Sequence, residues 1–416
     1  MRRHQASRTP WTGAQAAVKL SEGGKEGPNR MKISRITSHV LQYPLEEELG
    51  YSQQYFTHRS AHLVEVETDE GLVGWGECFG PGNIAVANKA IVEQVIQPMV
   101  LGMDPLAREV IWHKVYNLLR DHGQKGMPIQ ALSGVDIALW DIAGKALGQP
   151  LYALLGGAFR ERVPVYGYGM MLQKRDDLAD AFKAEAAAIK AAGFGATKMK
   201  VGLGLKRDIA LVEAVRDGIG PDMQLMVDAN HAYAIDDAMA LGPHLERLGV
   251  YWFEEPVAPE DRSGYRELRA KLGVRIAGGE AEFTRWGFRD LIEGRCVDIL
   301  QPEVCGLGGI TEQRKVLALA HSYLVPVINH VWGSGVALAT NLHLSVAVPD
   351  LPGGAHPAQP MLEYDTTPNR FKEGVLKTPL EIERQVAEQA GTAAPPDGPG
   401  LGIEIDRDFL EAYRRA

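Results

Sequence analysis

Hydrophobic and polar positions alternate with a period of two over 62–68, and after residue 85 hydrophobic positions recur every three or four residues. Alternation over 62–68, a turn at Asp69-Glu70-Gly71 and a second strand-like run predict a β-hairpin. Apolar residues over 85–120 and 128–148 recur every three or four positions, which indicates helices. The polar and aromatic stretch 46–58 is predicted to be a loop. We therefore expect an α+β domain on a three-stranded antiparallel sheet formed by Met31–Val40, His62–Thr68 and Leu72–Cys78.

From Val163 onward, strand-like runs alternate with helical runs. Parallel strands separated by helices at this period indicate a closed (β/α) barrel, and the sequence lacks the Gly-x-Gly-x-x-Gly turn of a dinucleotide fold. The predicted strands are Val163–Met170, Ala196–Val201, Gln224–Asp228, Val250–Glu254, Arg275–Ala277, Ile299–Gln301 and Pro326–His330. The predicted helices are Asp177–Ala192, 207–218, 235–247, Thr311–Leu324 and Gly335–Val348.

Both ends of the chain differ from the repeating pattern. Residues 1–30 are polar without a sustained period, which predicts a disordered extension, an expression remnant or a misassigned start, with a short transit peptide as the less favoured alternative. From about Lys377 the tail has turn residues and a short strand or edge at Gly402–Ile405, and it is expected to fold back onto the first domain. The predicted division is an extension at 1–30, an α+β domain of 31–160 with 377–416, and a catalytic barrel at 161–376.

The composition is that of an ordinary globular protein, and it excludes several functions. Of 416 residues, 45% are hydrophobic and 23% are charged, and the net charge of −9 gives no electrostatic reason to expect nucleic acid or an anionic membrane as partner. No apolar run approaches the length of a membrane span. The three cysteines, Cys78, Cys296 and Cys305, are odd in number and lack metal-ligand spacing, which favours a reduced, cytoplasmic setting.

Three carboxylates end successive strand–helix units of the predicted barrel. Lys200, Asp228, Glu254 and Glu280 lie 28, 26 and 26 residues apart, about the length of one strand, one helix and two loops. Parallel strands of a barrel end at one rim, so this spacing predicts a single ring of charged residues. Like charges held together repel unless a cation neutralises them, and an all-oxygen set favours Mg²⁺ first and Mn²⁺ next. Any one of these acids alone would more often be a solvated loop residue or a helix cap.

Two lysines precede the acids on a predicted strand. Lys198 and Lys200 are two residues apart, so their side chains point to the same face. Neighbouring ammonium groups and a bound cation lower a lysine pKa, which suits a general base near neutral pH. Without the acids, the pair would be interpreted as two solvated lysines on the polar edge of a strand. Asn230, two residues beyond Asp228, is predicted to face the same site as a polar substrate contact.

Later strand ends supply a second set of candidates. His330 lies 27 residues after Glu303, again one barrel interval, so Glu303 is predicted to orient the imidazole and raise its basicity. Glu363, 33 residues further on, is a candidate acid that hydrogen-bonds a developing oxyanion, with a surface loop acid as the alternative. By chemistry alone, a metal would hold a substrate carboxylate while bases on two faces move the proton α to it through an enediolate.

At these residues the sequence resembles the enolase superfamily and, within it, the mandelate racemase subgroup. The resemblance spans roughly Met31 to the C-terminus. It implies a modified (β/α)7β TIM barrel, an α+β capping domain built from both chain ends, one Mg²⁺ per site and a homo-oligomer between dimer and octamer. By resemblance, Lys200 is the base on one face, Lys198 assists with the carboxylate, His330 with Glu303 serves the other face, and Glu363 donates to the oxyanion. The motifs that carry it are Lys198-Met199-Lys200, the acids Asp228, Glu254 and Glu280, the Gly306-Leu307-Gly308-Gly309 turn and His330.

Within the subgroup, the sequence looks most like acid-sugar dehydratases and lactone cycloisomerases. These enzymes remove the α proton and then expel a β-oxygen substituent, so the expected substrate is a sugar acid or its lactone. A racemase or epimerase of a 2-hydroxy or amino acid is the alternative of the same class, and a non-catalytic barrel that binds metal and sugar acid is the alternative of another class. One departure bears on the last alternative: Glu303 stands where the family usually has aspartate.

Residues that contact the rest of the substrate are predicted near the barrel mouth. The stretch 46–58 is expected to cover that mouth, and His58, Tyr168 and Trp332 are predicted to contact substrate together with Asn230. The identity of these residues does not indicate which sugar acid they would bind.

Overall fold

The computed structural model describes residues 31–352 and 359–415, so the predictions for residues 1–30 lie outside the described residues. The described residues begin with an antiparallel sheet in which three strands follow one another in sequence order. This sheet agrees with the pattern of alternating residues. Its strands are β1 (Ile33–Tyr51), β2 (Gln54–Thr68) and β3 (Val73–Cys78).

The predicted loop at 46–58 is wrong, because this stretch forms the end of the β1–β2 hairpin. Leu49 pairs with Phe56 and Tyr51 pairs with Gln54 across the hairpin. The tip is also held by the barrel, since Ser52 Oγ donates a hydrogen bond of 2.7 Å to the carbonyl oxygen of Ala229. Backbone pairing and these tertiary contacts outweigh the polar composition that suggested a loop.

Helices cover one face of this sheet. The predicted helical stretch 85–120 is divided by a turn around Pro105, which removes a backbone donor from the helix pattern. A cluster of buried apolar side chains, including Ile36, Val66, Trp112 and Leu139, fills the space between sheet and helices. The helices of this region are Asn83–Ala90, the π-helix Ile91–Ile96, Gln97–Val100, Arg108–Leu119, Met127–Leu147 and Leu151–Leu154.

Strand β3 lies unusually close to the helix Met127–Leu147. A Cβ atom at Gly76 would overlap the carbonyl oxygen of Gly134 and lie 2.8 Å from the backbone nitrogen of Ala138. Because both obstacles are backbone atoms, no side-chain rotation relieves the overlap.

We expect Gly76→Ala to destabilise the fold by about 3 kcal/mol, since strand and helix would have to separate. A shift of the urea unfolding midpoint measures the effect. Gly195→Ala is the matched control, because a Cβ atom there meets no heavy atom within 4 Å, and its stability should stay within about 0.5 kcal/mol of wild type. Equal stability of the two variants would contradict the close approach.

The second part of the chain is a barrel-like curled sheet of parallel strands, as predicted. The pairing order runs β10-β4-β5-β6-β7-β8-β9, so β10, the last of these strands along the chain, pairs with β4, the first. The strands are β4 (Val163–Tyr168), β5 (Ala196–Lys200), β6 (Gln224–Asp228), β7 (Val250–Glu254), β8 (Arg275–Gly278), β9 (Ile299–Leu300) and β10 (Leu362–Asp365). The surrounding helices are Leu178–Ala191, Leu205–Ile219, Ile235–Arg247, Arg262–Lys271, Thr284–Glu293, Gly309–Ser322 and Gly335–Val346.

The predicted strand Pro326–His330 is present only as isolated parallel bridges. Val327 pairs with Leu300, and His330 pairs with Glu303. The segment therefore keeps its place in the barrel without a continuous ladder. Inside the barrel, Tyr166, Met226 and Trp252 are fully buried and form an apolar floor beneath the strand ends.

The tail contacts both parts of the chain. Its strand β11 (Thr392–Ala393) pairs with β4 of the barrel, and later residues return to the first part. The backbone nitrogen of Arg415 donates to the carbonyl oxygen of Val40 at 2.8 Å, and the nitrogen of Leu401 donates to Asp141 Oδ1 at 2.8 Å. The predicted strand at Gly402–Ile405 is reduced to a single bridge between Ile405 and Leu376. The division of the chain into domains at residues 160 and 377 stays a prediction. The helices of the tail are Phe371–Gly374, Ile382–Glu388 and Arg407–Tyr413.

Across residues 31–352 and 359–415, none of the helices combines the length and the apolar character needed to cross a membrane.

Candidate active site

The three predicted metal ligands meet at one rim of the barrel. Asp228 pairs with Lys200 on one side and with Glu254 on the other, because these residues end neighbouring parallel strands in register. Glu280 follows two residues after β8. One carboxylate oxygen from each of the three acids lies within 4.8 Å of the others. Asp228 and Glu254 are buried, so their charges interact through little water.

Neighbouring groups shift the pKa values of two of these acids in opposite directions. Burial and the Asp228 carboxylate raise the pKa of Glu254 to about 8. Burial acts in the same direction on Asp228, but Lys200 and Lys198 outweigh it and hold the pKa of Asp228 near 2. Glu254 is also fixed in place, since Lys198, Trp252 and Gln301 all donate to its carboxylate, at 2.6, 2.9 and 2.7 Å.

Both lysines face the acids, as the spacing of two predicts. Lys200 Nζ donates to Asp228 Oδ2 at 2.5 Å and to Asn230 Oδ1 at 2.7 Å. Lys198 Nζ lies 2.6 Å from Glu254 Oε1 and 2.6 Å from Glu363 Oε1.

The protein groups around each lysine raise its pKa, which is the opposite of the effect expected of a neighbouring ammonium group. Burial and Lys198 lower the pKa of Lys200, but Asp228 outweighs them and raises it above the ordinary value. Lys198 likewise has a raised pKa, because Glu254 and Glu363 outweigh its burial. The carboxylates, rather than the second ammonium, dominate the surroundings of each lysine.

His330 and Glu303 form a hydrogen-bonded pair across adjacent strand ends. His330 Nδ1 lies 2.7 Å from Glu303 Oε2, while Glu303 Oε1 accepts from the backbone nitrogen of Cys305 at 2.8 Å. The side chain of Glu303 is therefore long enough to reach the imidazole, and the backbone nitrogen of Cys305 holds its carboxylate in place. Although burial disfavours the imidazolium, Glu280, Glu363 and Glu303 raise the pKa of His330 to about 10.

We expect Glu303→Gln to lower kcat about 100-fold, because the amide keeps the length of the side chain but loses the negative charge that supports His330. Stability should change little, since the amide oxygen can still accept from Cys305. Initial rates and thermal unfolding of the same preparation check both parts. A kcat within threefold of wild type would contradict the pairing role of Glu303.

Glu363 is buried beside Lys198 and does not lie on the surface. Its Oε1 contacts Lys198 Nζ, and its Oε2 accepts from the backbone nitrogen of Val331 at 2.9 Å. Both oxygens act as acceptors in this arrangement. The role of Glu363 as a donor to an oxyanion therefore stays a prediction.

A cavity of about 380 Å³ opens beside the acids, and it is enclosed by both parts of the chain. Lys200, Asn230, Glu280 and His330 line it on the barrel side. The hairpin tip, the loop after β3 and the start of the helix Asn83–Ala90 line the other side. The sequence did not single out several of its lining residues. These are Tyr51, Gln54, Phe79, Gln130, His231 and Glu255.

Glu255 is the most unusual of these residues. It is 2% exposed, its backbone adopts a positive φ of 39°, and its Oε2 has no hydrogen-bond partner within the described residues. Burial and the nearby Glu280 raise its pKa well above the ordinary value. The motif Phe253-Glu254-Glu255-Pro256 places it directly after a metal-ligand candidate, and this adjacency is the signal by which sequence alone could have identified it.

The predicted substrate contacts lie in different places. Trp332 and Asn230 line the 380 Å³ cavity. His58 lines a second cavity next to it. Tyr168 lies behind the lysines, with its ring centroid 4.9 Å from Lys200 Nζ and its hydroxyl 2.6 Å from Met171 Sδ. Tyr168 can therefore position Lys200, and its direct contact with substrate stays a prediction.

The donor set fits a hard divalent cation. Asp228, Glu254 and Glu280 offer only carboxylate oxygens, and Glu280 Oε2 has no hydrogen-bond donor within the described residues, although His330 Nε2 lies 3.3 Å away. Oxygen ligands of this kind suit Mg²⁺. These three residues would hold the ion.

Two family models together match most of the chain. Residues 42–156 match the N-terminal domain of mandelate racemase / muconate lactonizing enzyme, and residues 181–409 match the enolase C-terminal domain-like family. The two matches fall on the hairpin-and-helix part and on the barrel.

Two curated relatives and one solved structure match this chain over at least 90% of their own length. The D-galactarolactone cycloisomerase of Agrobacterium fabrum is 43% identical over 92% of this chain and 99% of its own. The arabinonate dehydratase of Saccharolobus solfataricus is 34% identical over 84% of this chain and 90% of its own. A racemase from Streptomyces coelicolor, solved with bound magnesium, is 28% identical with a TM-score of 0.82 over 92% of this chain and all of its own.

Proposed function

The chain belongs to the mandelate racemase and muconate lactonizing enzyme family of the enolase superfamily, and from this premise we propose that it eliminates a β-oxygen substituent from an acid sugar or its lactone. Its relatives are named as a cycloisomerase and dehydratases, so the chain is an enzyme of the lyase or isomerase type. The first step proposed is removal of the proton α to the substrate carboxylate, which gives an enediolate.

The observation that carries the proposal is an unbroken series of contacts between the two candidate bases. Lys200 Nζ contacts Asn230 Oδ1 at 2.7 Å, and Asn230 Nδ2 donates to Glu280 Oε1 at 3.2 Å. Glu280 Oε2 in turn lies 3.3 Å from His330 Nε2, which Glu303 supports from behind. One metal-ligand candidate thus separates two proton-transfer groups that line the same cavity.

This arrangement supports proton transfer on either side of a bound carboxylate. Lys200 and His330 both line the cavity, and in the proposed reaction one would remove the α proton while the other delivered a proton to the departing oxygen. Lys198, which contacts Glu254 and Glu363, would hold a carboxylate oxygen of the substrate near the acids. When bound, Mg²⁺ would stabilise the negative charge that develops on the enediolate.

Proton NMR in D₂O tests the proposal directly. With Mg²⁺ and a panel of acid sugars and their lactones, we expect loss of the α-proton signal of at least one substrate together with formation of product. A 2-keto-3-deoxy acid formed with loss of water would identify dehydration. A 2-keto-3-deoxy acid formed from a lactone by ring opening without loss of water would identify cycloisomerisation, and an inverted centre would identify racemisation. Absence of both exchange and product across the panel, with Mg²⁺ binding intact, would contradict the proposal and favour a barrel that only binds.

A further inference from the structure

A buried acid near the end of β3, Glu77, connects the hairpin-and-helix part of the chain to the barrel. Its side chain is 3% exposed, and other residues line the cavity that contains the candidate bases. The hydrogen bonds of its carboxylate come from residues that lie 257 and 260 positions later, just after His330. Glu77 therefore contacts the barrel at a segment that carries a candidate base, without facing the cavity itself.

The barrel presents three donors to the Glu77 carboxylate. The backbone nitrogen of Ser334 donates to Oε1 at 2.9 Å, Ser334 Oγ donates to Oε2 at 2.6 Å, and the backbone nitrogen of Ala337 donates to Oε2 at 3.0 Å. Ser334 Oγ itself accepts from the backbone nitrogen of Val336 at 3.1 Å, so its proton is free for Glu77. These groups form the N-terminus of the helix Gly335–Val346, where a negative charge is favoured.

The segment 330–334 has few other attachments to the barrel. It forms isolated bridges instead of a continuous strand, and one of these bridges joins His330 to Glu303. At its start, the backbone nitrogen of His330 donates to the carbonyl oxygen of Pro302 at 3.2 Å, and that of Val331 donates to Glu363 Oε2 at 2.9 Å. Glu77 holds its end at Ser334. Anchors at the two ends thus fix the backbone that carries the imidazole.

The end of β3 also contacts the turn that carries Glu303. The backbone nitrogen of Phe79 donates to the carbonyl oxygen of Cys305 at 2.7 Å, and the nitrogen of Cys305 donates to Glu303 Oε1 at 2.8 Å. The Phe79 ring meets the His330 ring edge-on, with 5.7 Å between the ring centres. Residues 77–79 therefore touch the segments that carry both members of the His330–Glu303 pair.

On the basis of the proposed function, in which His330 transfers a proton, we propose that Glu77 is a positioning residue for His330. Proton transfer depends steeply on the distance between donor and acceptor, so a small displacement of the imidazole lowers the rate. Without the Glu77 carboxylate, the end of the segment 330–334 loses its anchor. Lys200 and the acids Asp228 and Glu254 end other strands and keep their places.

Glu77→Gln tests this role in the Mg²⁺-loaded full chain. The amide keeps the size of the side chain, but it removes the negative charge and turns an NH₂ group toward backbone donors. We expect kcat to fall about 30-fold. The Kd of Mg²⁺, measured by calorimetry, should stay within about twofold of wild type, because Asp228, Glu254 and Glu280 do not contact Glu77.

A double-variant comparison separates positioning from a loss of folded protein. In the His330→Ala background, Glu77→Gln should change the rate of α-proton exchange in D₂O less than about twofold, because the group that it positions is absent. A merely structural role would lower the rate by the same factor in both backgrounds.

Glu65→Gln is the matched control, since it makes the same chemical change at a buried position of the same sheet. Glu65 lies 2.9 Å from His39 and contacts Arg407 of the tail, and none of these residues carries a candidate base. We expect Glu65→Gln to lower the unfolding midpoint, because it weakens a buried ion pair, while kcat stays within about twofold of wild type.

Ser334→Ala provides a second measurement if Glu77→Gln does not fold. It removes the 2.6 Å hydrogen bond to Glu77 and leaves both backbone donors in place. We expect kcat to fall about fivefold in the wild-type background, and exchange to change less than about twofold in the His330→Ala background.

Wild-type kcat in Glu77→Gln, or equal factors in the two backgrounds, would overturn the positioning role and leave the proposed function intact. Absence of α-proton exchange by wild type across the panel of acid sugars would instead contradict the proposed function, and with it the role of Glu77.

Discussion

Replacing Lys200 or His330 with alanine is expected to lower the rate of α-proton exchange in D₂O about 10³-fold, which corresponds to roughly 4 kcal/mol of transition-state free energy. Each variant removes a proton-transfer group that lines the cavity and leaves the other in place. Exchange followed by NMR reports proton removal itself, so it separates this step from the elimination that follows.

Control variants distinguish loss of a base from loss of fold. Lys206 lies on the helix Leu205–Ile219 and is exposed, and Lys206→Ala should exchange at the wild-type rate. Circular dichroism and thermal unfolding should show that the Lys200 and His330 variants remain folded. Wild-type exchange in both of those variants would reject their assignment as bases.

Glu254→Gln is expected to weaken Mg²⁺ binding at least about 100-fold and to lower turnover by about 10³-fold. The substitution replaces the middle one of three carboxylate ligands, whose oxygens lie within 4.8 Å of one another, with a neutral amide. Gln301 and Trp252 still have an amide oxygen to donate to, so the local structure should survive. In wild type, Mg²⁺ at 100 times its Kd should stabilise the folded state by about 2.7 kcal/mol, and chelation should abolish turnover.

Calorimetric titration and the Mg²⁺ dependence of thermal unfolding measure binding without relying on activity. Glu260→Gln serves as control, because Glu260 is an exposed acid a few residues beyond the same strand. The control should bind Mg²⁺ as wild type does. Wild-type affinity in Glu254→Gln would show that the ion is held elsewhere.

The fold was predicted correctly from the spacing of strands and helices, and the family from the resemblance of the motifs to those of the superfamily. Parallel strands end at one rim, so a regular interval between Lys200, Asp228 and Glu254 is enough to bring them together. Strand pairing in the structure places these three residues side by side in register. The same rule puts His330 opposite Glu303. Position along the chain thus determined which residues meet.

The hairpin tip could not be predicted, because its stability comes from residues far away in sequence. Polar side chains over 46–58 resemble a loop, yet Ser52 reaches the carbonyl oxygens of Ala229 and Asn230 on the barrel. The Asp365–Arg59 contact likewise joins residues 306 positions apart. No local pattern encodes such contacts, since they exist only after both parts of the chain have folded.

The sequence by itself determined the ring of acids, the pair of lysines and the histidine, because each follows from strand periodicity and barrel closure. Only the tertiary structure decided how those charges balance. Asp228 and Glu254 raise the lysine pKa values that spacing alone suggested would fall, and Glu303 proved long enough to reach His330. The physical reason is that spacing determines the position of each backbone site on the rim. The position of the charged group and its pKa depend on the rotamer, on burial and on partners from distant strands.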